Sequence, residues 1–282
     1  ASLRSSQGLS SDMPDGTTAM LVDYGARSAE ELAEKIASVE PAIRRLRHLS
    51  HMDDFTHTVA ERQRLWDIRD GVFPCVAGAR VPGSTVILED IAAPVEKLAD
   101  LVEGVQRLFD AHGYHGAIFG HARDGNIHPL VTAEMSSQKE VDNFARFIDG
   151  FVDTTLRLDG SLKGEHGTGR AMAPFVAREW GDDIYALMRR ADPQGILNPG
   201  VIINDDPEAF IKPIKSMEIF GKQLGYETAD KCMECGYCEH VCPTRDVTLT
   251  PRQRLQAHRI IARTGSKELE RLNRYIGNDT CC

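Results

Sequence analysis

Two groups of residues in this 282-residue chain have the types and spacing that chemistry needs. The first is Cys232-Met-Glu-Cys235-Gly-Tyr-Cys238-Glu-His-Val-Cys242-Pro243, a C-x2-C-x2-C-x3-C-P run. That spacing holds [4Fe–4S] clusters: three closely spaced thiolates wrap one corner of a cubane, and in two-cluster proteins the fourth Cys serves the other cluster. Such a run calls for a second copy, and the chain carries only the beginning of one, Asp279-Thr280-Cys281-Cys282. A structural zinc site is the alternative. Zinc modules usually split their ligands between two separated C-x2-C pairs, which four Cys within 232–242 and a following Pro fit poorly.

The second group is Gly120-His121-Ala-Arg-Asp124-Gly125-Asn126-Ile-His128, joined later by Gly164-Glu165-His166-Gly167-Thr168-Gly169. Two imidazoles flanking a turn converge if the turn links paired strands. Two His and one carboxylate make a site for zinc, manganese or iron with open positions. By spacing alone such a pair is more often two hydrogen-bonding histidines than a metal site.

Several elements must position these groups. Residues 18–24 read as a strand, and 29–39 as a helix with Ser28 as N-cap. Residues 48–58 are polar and ambiguous; 60–70 look helical, ended by Gly71. Residues 84–91 are rich in β-branched side chains and predict a strand. An apolar stripe at helical spacing, Val95 to Phe109, predicts a helix over 95–112. Strands are expected at 116–121 and 127–132 around a tight Asp124-Gly125 turn, then an amphipathic helix over 141–158. The reading for both stripes is core packing. Two strands meeting across a short turn favour an α+β fold, an antiparallel sheet with helices on one face, over a doubly wound parallel sheet. No Gly-rich phosphate loop opens a helix after a strand. We therefore expect one domain over 1–214 and a small helical module over 215–282, with a helix at 251–263.

Composition narrows the partners. Lys and Arg number 33 against 42 Asp and Glu, a net charge of −9, which argues against a nucleic-acid partner. No apolar run approaches the roughly 20 residues of a membrane helix, and residues 1–8 show no apolar signal-peptide core. Six of seven Cys lie after residue 231; that clustering suggests a reducing cytoplasm rather than a disulfide-stapled secreted chain. Peripheral contact with the inner face of a membrane and homo-oligomer formation stay open.

The Gly-His-x-x-Asp-Gly-Asn-x-His motif, the Glu-His-Gly-x-Gly motif and Asp192-Pro-Gln-Gly-Ile-Leu-Asn198-Pro-Gly200 occur in that order. Together they resemble the C-terminal domain of FAD-linked oxidases in the vanillyl-alcohol-oxidase class. Residues 160–174 and 247–254 are similar to the branch with a fused ferredoxin-like tail, the bacterial D-lactate and D-2-hydroxyglutarate dehydrogenases. The resemblance runs from about residue 18 onward. It implies a divalent metal (Zn, Mn or Fe) held by His121, His128 and Glu165 beside the flavin, binding the substrate's hydroxyl and carboxylate. It implies His166 as general base; the other reading of His166 is a partner that orients Glu165. Arg69, in Leu65-Trp66-Asp-Ile-Arg69, resembles the arginine that grips the substrate carboxylate, or is a solvated helix charge. Asn126 would contact substrate or flavin, or support the turn at Gly125. Asn198 would lie near the flavin, though Asn-Pro-Gly is also an ordinary turn.

Two departures stand out. Arg123 replaces a Gly common among relatives, and the family's flavin-binding domain is expected to precede this region. The chain is therefore expected to be a fragment that binds FAD poorly and is inactive alone. Its tail is expected to be a truncated ferredoxin-like module with cluster ligands Cys232, Cys235, Cys238, Cys242 and Cys281. The implied function is oxidation of a small D-2-hydroxyacid to the 2-oxoacid, with electrons leaving FAD through clusters to a quinone or other acceptor. Alternatives are a non-catalytic electron-transfer or assembly subunit, which has no use for the His/His/Glu group. A metal-dependent hydrolase is the other, and it has no use for an electron outlet.

Overall fold

The structure is a computed structural model that describes residues 18–46, 55–56, 58–81, 84–135, 137–212, 229 and 232–275. The chain divides into two compact units, residues 1–75 and 76–282. The expected boundary at 214/215, the expected loose segment 1–16, most of 48–58 and Cys281 lie outside the described residues.

In the first unit, helix α1 (Ala29–Arg44) begins where expected: the Ser28 side chain accepts from Glu31 N at 3.2 Å. Helix α2 (Val59–Gly78), which lies in this unit up to Cys75, does not stop at Gly71 but runs through it and through Pro74. Gly lowers helix propensity by about 1 kcal/mol but ends a helix only where it takes the left-handed cap conformation, and Gly71 keeps a negative φ. Residues 18–24 form no strand. A strand requires a partner for its N–H and C=O groups, and no other strand lies among the described residues of this unit. The segment is instead tied by side chains: Trp66 Nε1 donates to Asp23 Oδ2 at 3.3 Å.

The second unit is built on an antiparallel sheet of β1 (Thr85–Leu88), β2 (Ile91–Ala92), β3 (His115–His121) and β4 (Asn126–Ala133). Strand β4 is central, flanked by β3 on one side and by β1 and β2 on the other. The strand expected over 84–91 is broken at Glu89 and Asp90. The cause is Pro129: Glu89 N donates to its carbonyl at 3.1 Å, but proline has no N–H to give back. The register is the same on both sides of the break, Leu88 facing Leu130 and Ile91 facing Ile127. Asp90 therefore lies opposite His128.

Alternation along β4 separates two faces. Ile127, Val131 and Ala133 enter the core under α3 (Leu98–His112) and α4 (Gln138–Arg157). Phe109, Phe147, Phe151, Leu101 and Val105 are fully buried there; each such side chain contributes about 1.5–3 kcal/mol relative to exposure. Asn126 and His128 point to the other face. The helices thus pack on one side of the sheet and the histidines sit on the opposite side, in the expected α+β arrangement.

Beyond the sheet lie short helices α5 (Gly169–Met172), α6 (Val176–Trp180) and α7 (Asp182–Ala191). Towards the C-terminus, α8 (Pro251–Thr264) opens with a capping box between Thr250 and Gln253, and α9 (Lys267–Asn273) follows. Among the described residues no helix is long and apolar enough to cross a membrane.

Candidate functional site

The β3–β4 hairpin brings the two histidines together. Phe119 is the register partner of His128, and His121 lies two residues further along β3. Side chains of i and i+2 share a face, so His121 is the diagonal neighbour of His128. Their ring centroids are 5.5 Å apart. The connection is one turn of 3-10 helix, Ala122–Asp124, closed by Gly125 at φ +66°. A Cβ on Gly125 would lie 1.9 Å from Ala93 O, so only glycine fits this corner.

Glu165 reaches the same point from a distant loop. Its Oε1 is 3.1 Å from His121 Nε2 and 3.0 Å from His128 Nε2, and His166 Nε2 lies 3.9 Å away. The His128 ring is 4 % exposed, whereas His121, Glu165 and His166 are 41 %, 50 % and 50 % exposed. The cluster is therefore a buried imidazole with an open front. Ligand atoms of His121, His128 and Glu165 all lie within 4.8 Å of one another. A tetrahedral site with Zn–N of about 2.0–2.1 Å sets neighbouring ligands ~3.3 Å apart, close to the spacing here. The donor set, two imidazole nitrogens and one carboxylate oxygen, fits zinc, manganese or iron.

The residue that sequence reasoning missed is Asp90. Its Oδ2 accepts from Glu165 N at 2.6 Å and His166 N at 2.7 Å, and its Oδ1 accepts from Asn126 Nδ2 at 2.6 Å. The Asp90 carbonyl accepts from Gly164 N at 3.2 Å, and Oδ1 stands 3.3 Å from His128 Nδ1. Burial by itself would raise the Asp90 pKa, but the His166, Asn126 and Glu165 donors outweigh it and hold the carboxyl below its ordinary range. Burial pulls the His128 pKa below the ordinary histidine value, and nearby His166 lowers it further against the opposite pull of Asp90. A neutral His128 is the form that ligates metal. It faces a carboxylate at each nitrogen, with one proton to share between them.

The loop's approach is secured at its root. Ser161 bridges to Ala92, its hydroxyl donates to Glu179 Oε1 at 2.7 Å, and the Lys163 ammonium sits 3.4 Å above the Trp180 ring. Asn126, expected at the substrate or flavin, is 5 % exposed. Its amide donates to Asp90 and to Ile91 O at 3.2 Å, and its Oδ1 is buried without a partner. Asn198 takes φ +54° in an exposed turn. The Asp192 carboxylate braces that turn through Ile196 N and Leu197 N. Arg69 belongs to the first unit, on α2, with its guanidinium 3.6 Å from Asp70.

The cysteine run is shaped by α8. Arg259 pairs with Glu234 at 2.8 Å and donates to Cys232 O at 2.6 Å and Ala229 O at 3.2 Å. Glu234 and Gly236 take positive φ, which turns the backbone sharply between Cys232 and Cys238. The Thr244 hydroxyl, 3.3 Å from Cys242 Sγ, draws that thiol below its ordinary pKa. Cys232, Cys235, Cys238 and Cys242 are all free thiols.

Residues 2–202 match the family described as FAD linked oxidases, C-terminal domain. The chain is 30% identical over 154 residues to the mitochondrial D-lactate dehydrogenase [cytochrome] of Arabidopsis thaliana, covering 53% of this chain and 27% of that protein. It is 32% identical over 126 residues to glycolate oxidase subunit GlcD of Bacillus subtilis, covering 43% and 27%. It is 28% identical over 181 residues to D-2-hydroxyglutarate dehydrogenase of Escherichia coli, covering 57% and 18%. The chain thus spans under a third of the length of these relatives. With the match extending over more than half of its residues, the chain belongs to the FAD-linked oxidases, of which it carries the C-terminal domain.

Proposed function

We propose that this chain is the substrate-binding and electron-outlet part of a flavin-dependent dehydrogenase that oxidises a D-2-hydroxyacid, D-lactate or D-2-hydroxyglutarate, to the 2-oxoacid. The observation that carries the reading is the meeting of His121 Nε2 and His128 Nε2 at one oxygen of Glu165, with His166 on the open side. The three relatives are named for D-lactate, glycolate and D-2-hydroxyglutarate, all of them 2-hydroxyacids, which supports the substrate class.

In this reading His121, His128 and Glu165 hold a divalent zinc, manganese or iron ion. When bound, such an ion supplies a Lewis acid that lowers the pKa of a substrate hydroxyl. FAD, when bound, supplies the two-electron acceptor. His166, half exposed and fixed through its backbone N–H, takes the hydroxyl proton at Nε2; an imidazole suits that task near neutral pH. Arg69 is assigned to the substrate carboxylate by its resemblance to the family's arginine, and a guanidinium fork suits a carboxylate. Asn126 supports the site from beneath, through Asp90, and Asn198 serves the flavin side. Cys232, Cys235 and Cys238 are ligands of a [4Fe–4S] cluster, with Cys242 and Cys281 assigned to its companion, in a module over 215–282. The acceptor is a quinone or another carrier, and the setting a reducing cytoplasm.

The test is a panel of D- and L-2-hydroxyacids with an artificial electron acceptor, using the FAD-loaded holoenzyme. Oxidation of D-lactate or D-2-hydroxyglutarate but not of the L-acids is expected. His128→Ala should remove bound metal and most of the activity. Turnover of no 2-hydroxyacid, or flavin-free ester hydrolysis, would overturn the reading.

A further inference from the structure

We propose that Asp90 is a positioning residue: it fixes the ring orientation and tautomer of His128 and clamps the Glu165–His166 backbone, so that the donor atoms converge before any ion arrives. The inference rests on the metal reading above. It begins with an ambiguity, because Asp90, His128 and His166 also offer ligand atoms within 4.8 Å of one another. Lone-pair counting resolves it. A carboxylate has about four acceptor positions. Asp90 Oδ2 uses two, on Glu165 N and His166 N. Oδ1 receives Asn126 Nδ2 and faces His128 Nδ1 at 3.3 Å. Three positions are hydrogen-bonded inside the protein and the remaining one faces the buried His128 Nδ1, which makes no other hydrogen bond, so Asp90 turns no open position to an ion.

The His128 ring completes the argument. Asp90 faces its Nδ1 and Glu165 its Nε2. Asp90 is buried and Glu165 half exposed, so water screens the field of Asp90 less. The proton of the neutral ring therefore belongs on Nδ1, leaving the Nε2 lone pair aimed at the point shared with His121 and Glu165. A carboxylate behind a metal-ligating histidine sets its tautomer and raises its basicity in just this way. One side chain thus couples both halves of the site, because β1 and β2 carry Asp90 opposite His128 while its Oδ2 holds a loop more than seventy residues away.

Two measurements on the full chain test this without turnover. The ring nitrogens of His128 are assigned by 15N NMR of the metal-free protein, using the signal lost in His128→Ala. Mn2+ binding is read from the EPR signal of the free ion, which thiolates hold weakly. Nδ1–H is expected in the wild type. In Asp90→Asn the Nδ1–H fraction should fall and Mn2+ affinity should drop about 10–100-fold. A wild-type ring protonated at Nε2 overturns the proposal, as does unchanged affinity in Asp90→Asn when His128→Ala has lost the ion. If His128→Ala still binds Mn2+ normally, the metal reading itself fails, and the tautomer still judges the Asp90–His128 pairing. Should Asp90→Asn not fold, the wild-type tautomer decides alone.

Discussion

The imidazole of His166 lies flat against that of His128, 4.7 Å between centroids and 5° between planes. Two imidazoles so placed resist being cations together, and the influence of His166 lowers the His128 pKa accordingly. The inner ring is sealed by protein and the outer one is half exposed. That division suits one ring as a ligand and the other as an acid–base group. His166→Ala should therefore keep divalent-ion binding within about twofold while turnover in the FAD-loaded holoenzyme falls ~10²–10⁴-fold, the usual worth of a general base. EPR of free Mn2+ and acceptor reduction measure the two quantities separately. Loss of both together would make His166 a ligand instead.

Gly164 is the tightest point of the loop. A Cβ there would lie 2.1 Å from Asn126 Nδ2 and 2.5 Å from Asp90 Oδ1. Both atoms are buried and hydrogen-bonded to each other, so neither can swing aside. Gly164→Ala should destabilise the protein by about 1–3 kcal/mol, as overpacking does, and weaken Mn2+ binding at least tenfold. Gly71→Ala is the control: its Cβ meets nothing within 4 Å in a continuous helix, and the change should be neutral or stabilising by up to ~1 kcal/mol. Urea unfolding of the two variants makes the comparison.

Much of this was legible in the sequence, and what was not has physical causes. The hairpin was readable because His121 and His128 flank an Asp-Gly turn, and β3 and β4 fall within a residue of the expected bounds. The stripes of α3 and α4 announced the core. Asp90 was not readable, since its role depends on the pairing of β1 and β2 with β4, a long-range register no local pattern states. The break that frees it follows from Pro129 on the partner strand, not from Glu89 or Asp90. Residues 18–24 carry strand composition, but composition supplies no partner. Gly71 and Pro74 look like stops, and α2 passes both.

Glu89 predicts a pH dependence. It borders a hollow of about 320 Å³ lined by Phe144, Ile148, Met172 and Phe210. Burial, with the Asp90 carboxylate beside it, pushes the Glu89 carboxyl up to about 8. A folded-state pKa above the unfolded one means that the native protein holds this proton more tightly. The stabilising contribution is complete below the ordinary value of 4.5, and it is lost as pH rises to about 8. Glu89→Gln should therefore match the wild type near pH 4.5 and exceed its stability by about 1–3 kcal/mol above pH 8, discounted because the residue keeps part of its surface in solvent. Urea midpoints at the two pH values, with chelator present, test this. Equal midpoints at high pH would show that Glu89 ionises freely.

Arg259 makes the same kind of argument for the cysteine run. Its side chain is 7 % exposed and that of its partner Glu234 is 12 % exposed. The guanidinium also donates to the carbonyls of Cys232 and Ala229, so one α8 residue holds the backbone at the first thiol. Removing one member of a buried pair leaves the other charge uncompensated, at about 3–5 kcal/mol. Because the sheet core lies elsewhere in the sequence, the loss should be felt as local opening rather than global unfolding. Arg259→Ala should speed alkylation of Cys232 at least tenfold and lower the iron retained after anaerobic reconstitution. Arg259→Lys should fall between, since an ammonium keeps the charge but not the fork that reaches Glu234 and the two carbonyls together. Alkylation rates measured under native conditions, beside the unfolding midpoint of each variant, separate the two effects. An unchanged alkylation rate in Arg259→Ala would show that the cysteine turn holds its shape without α8.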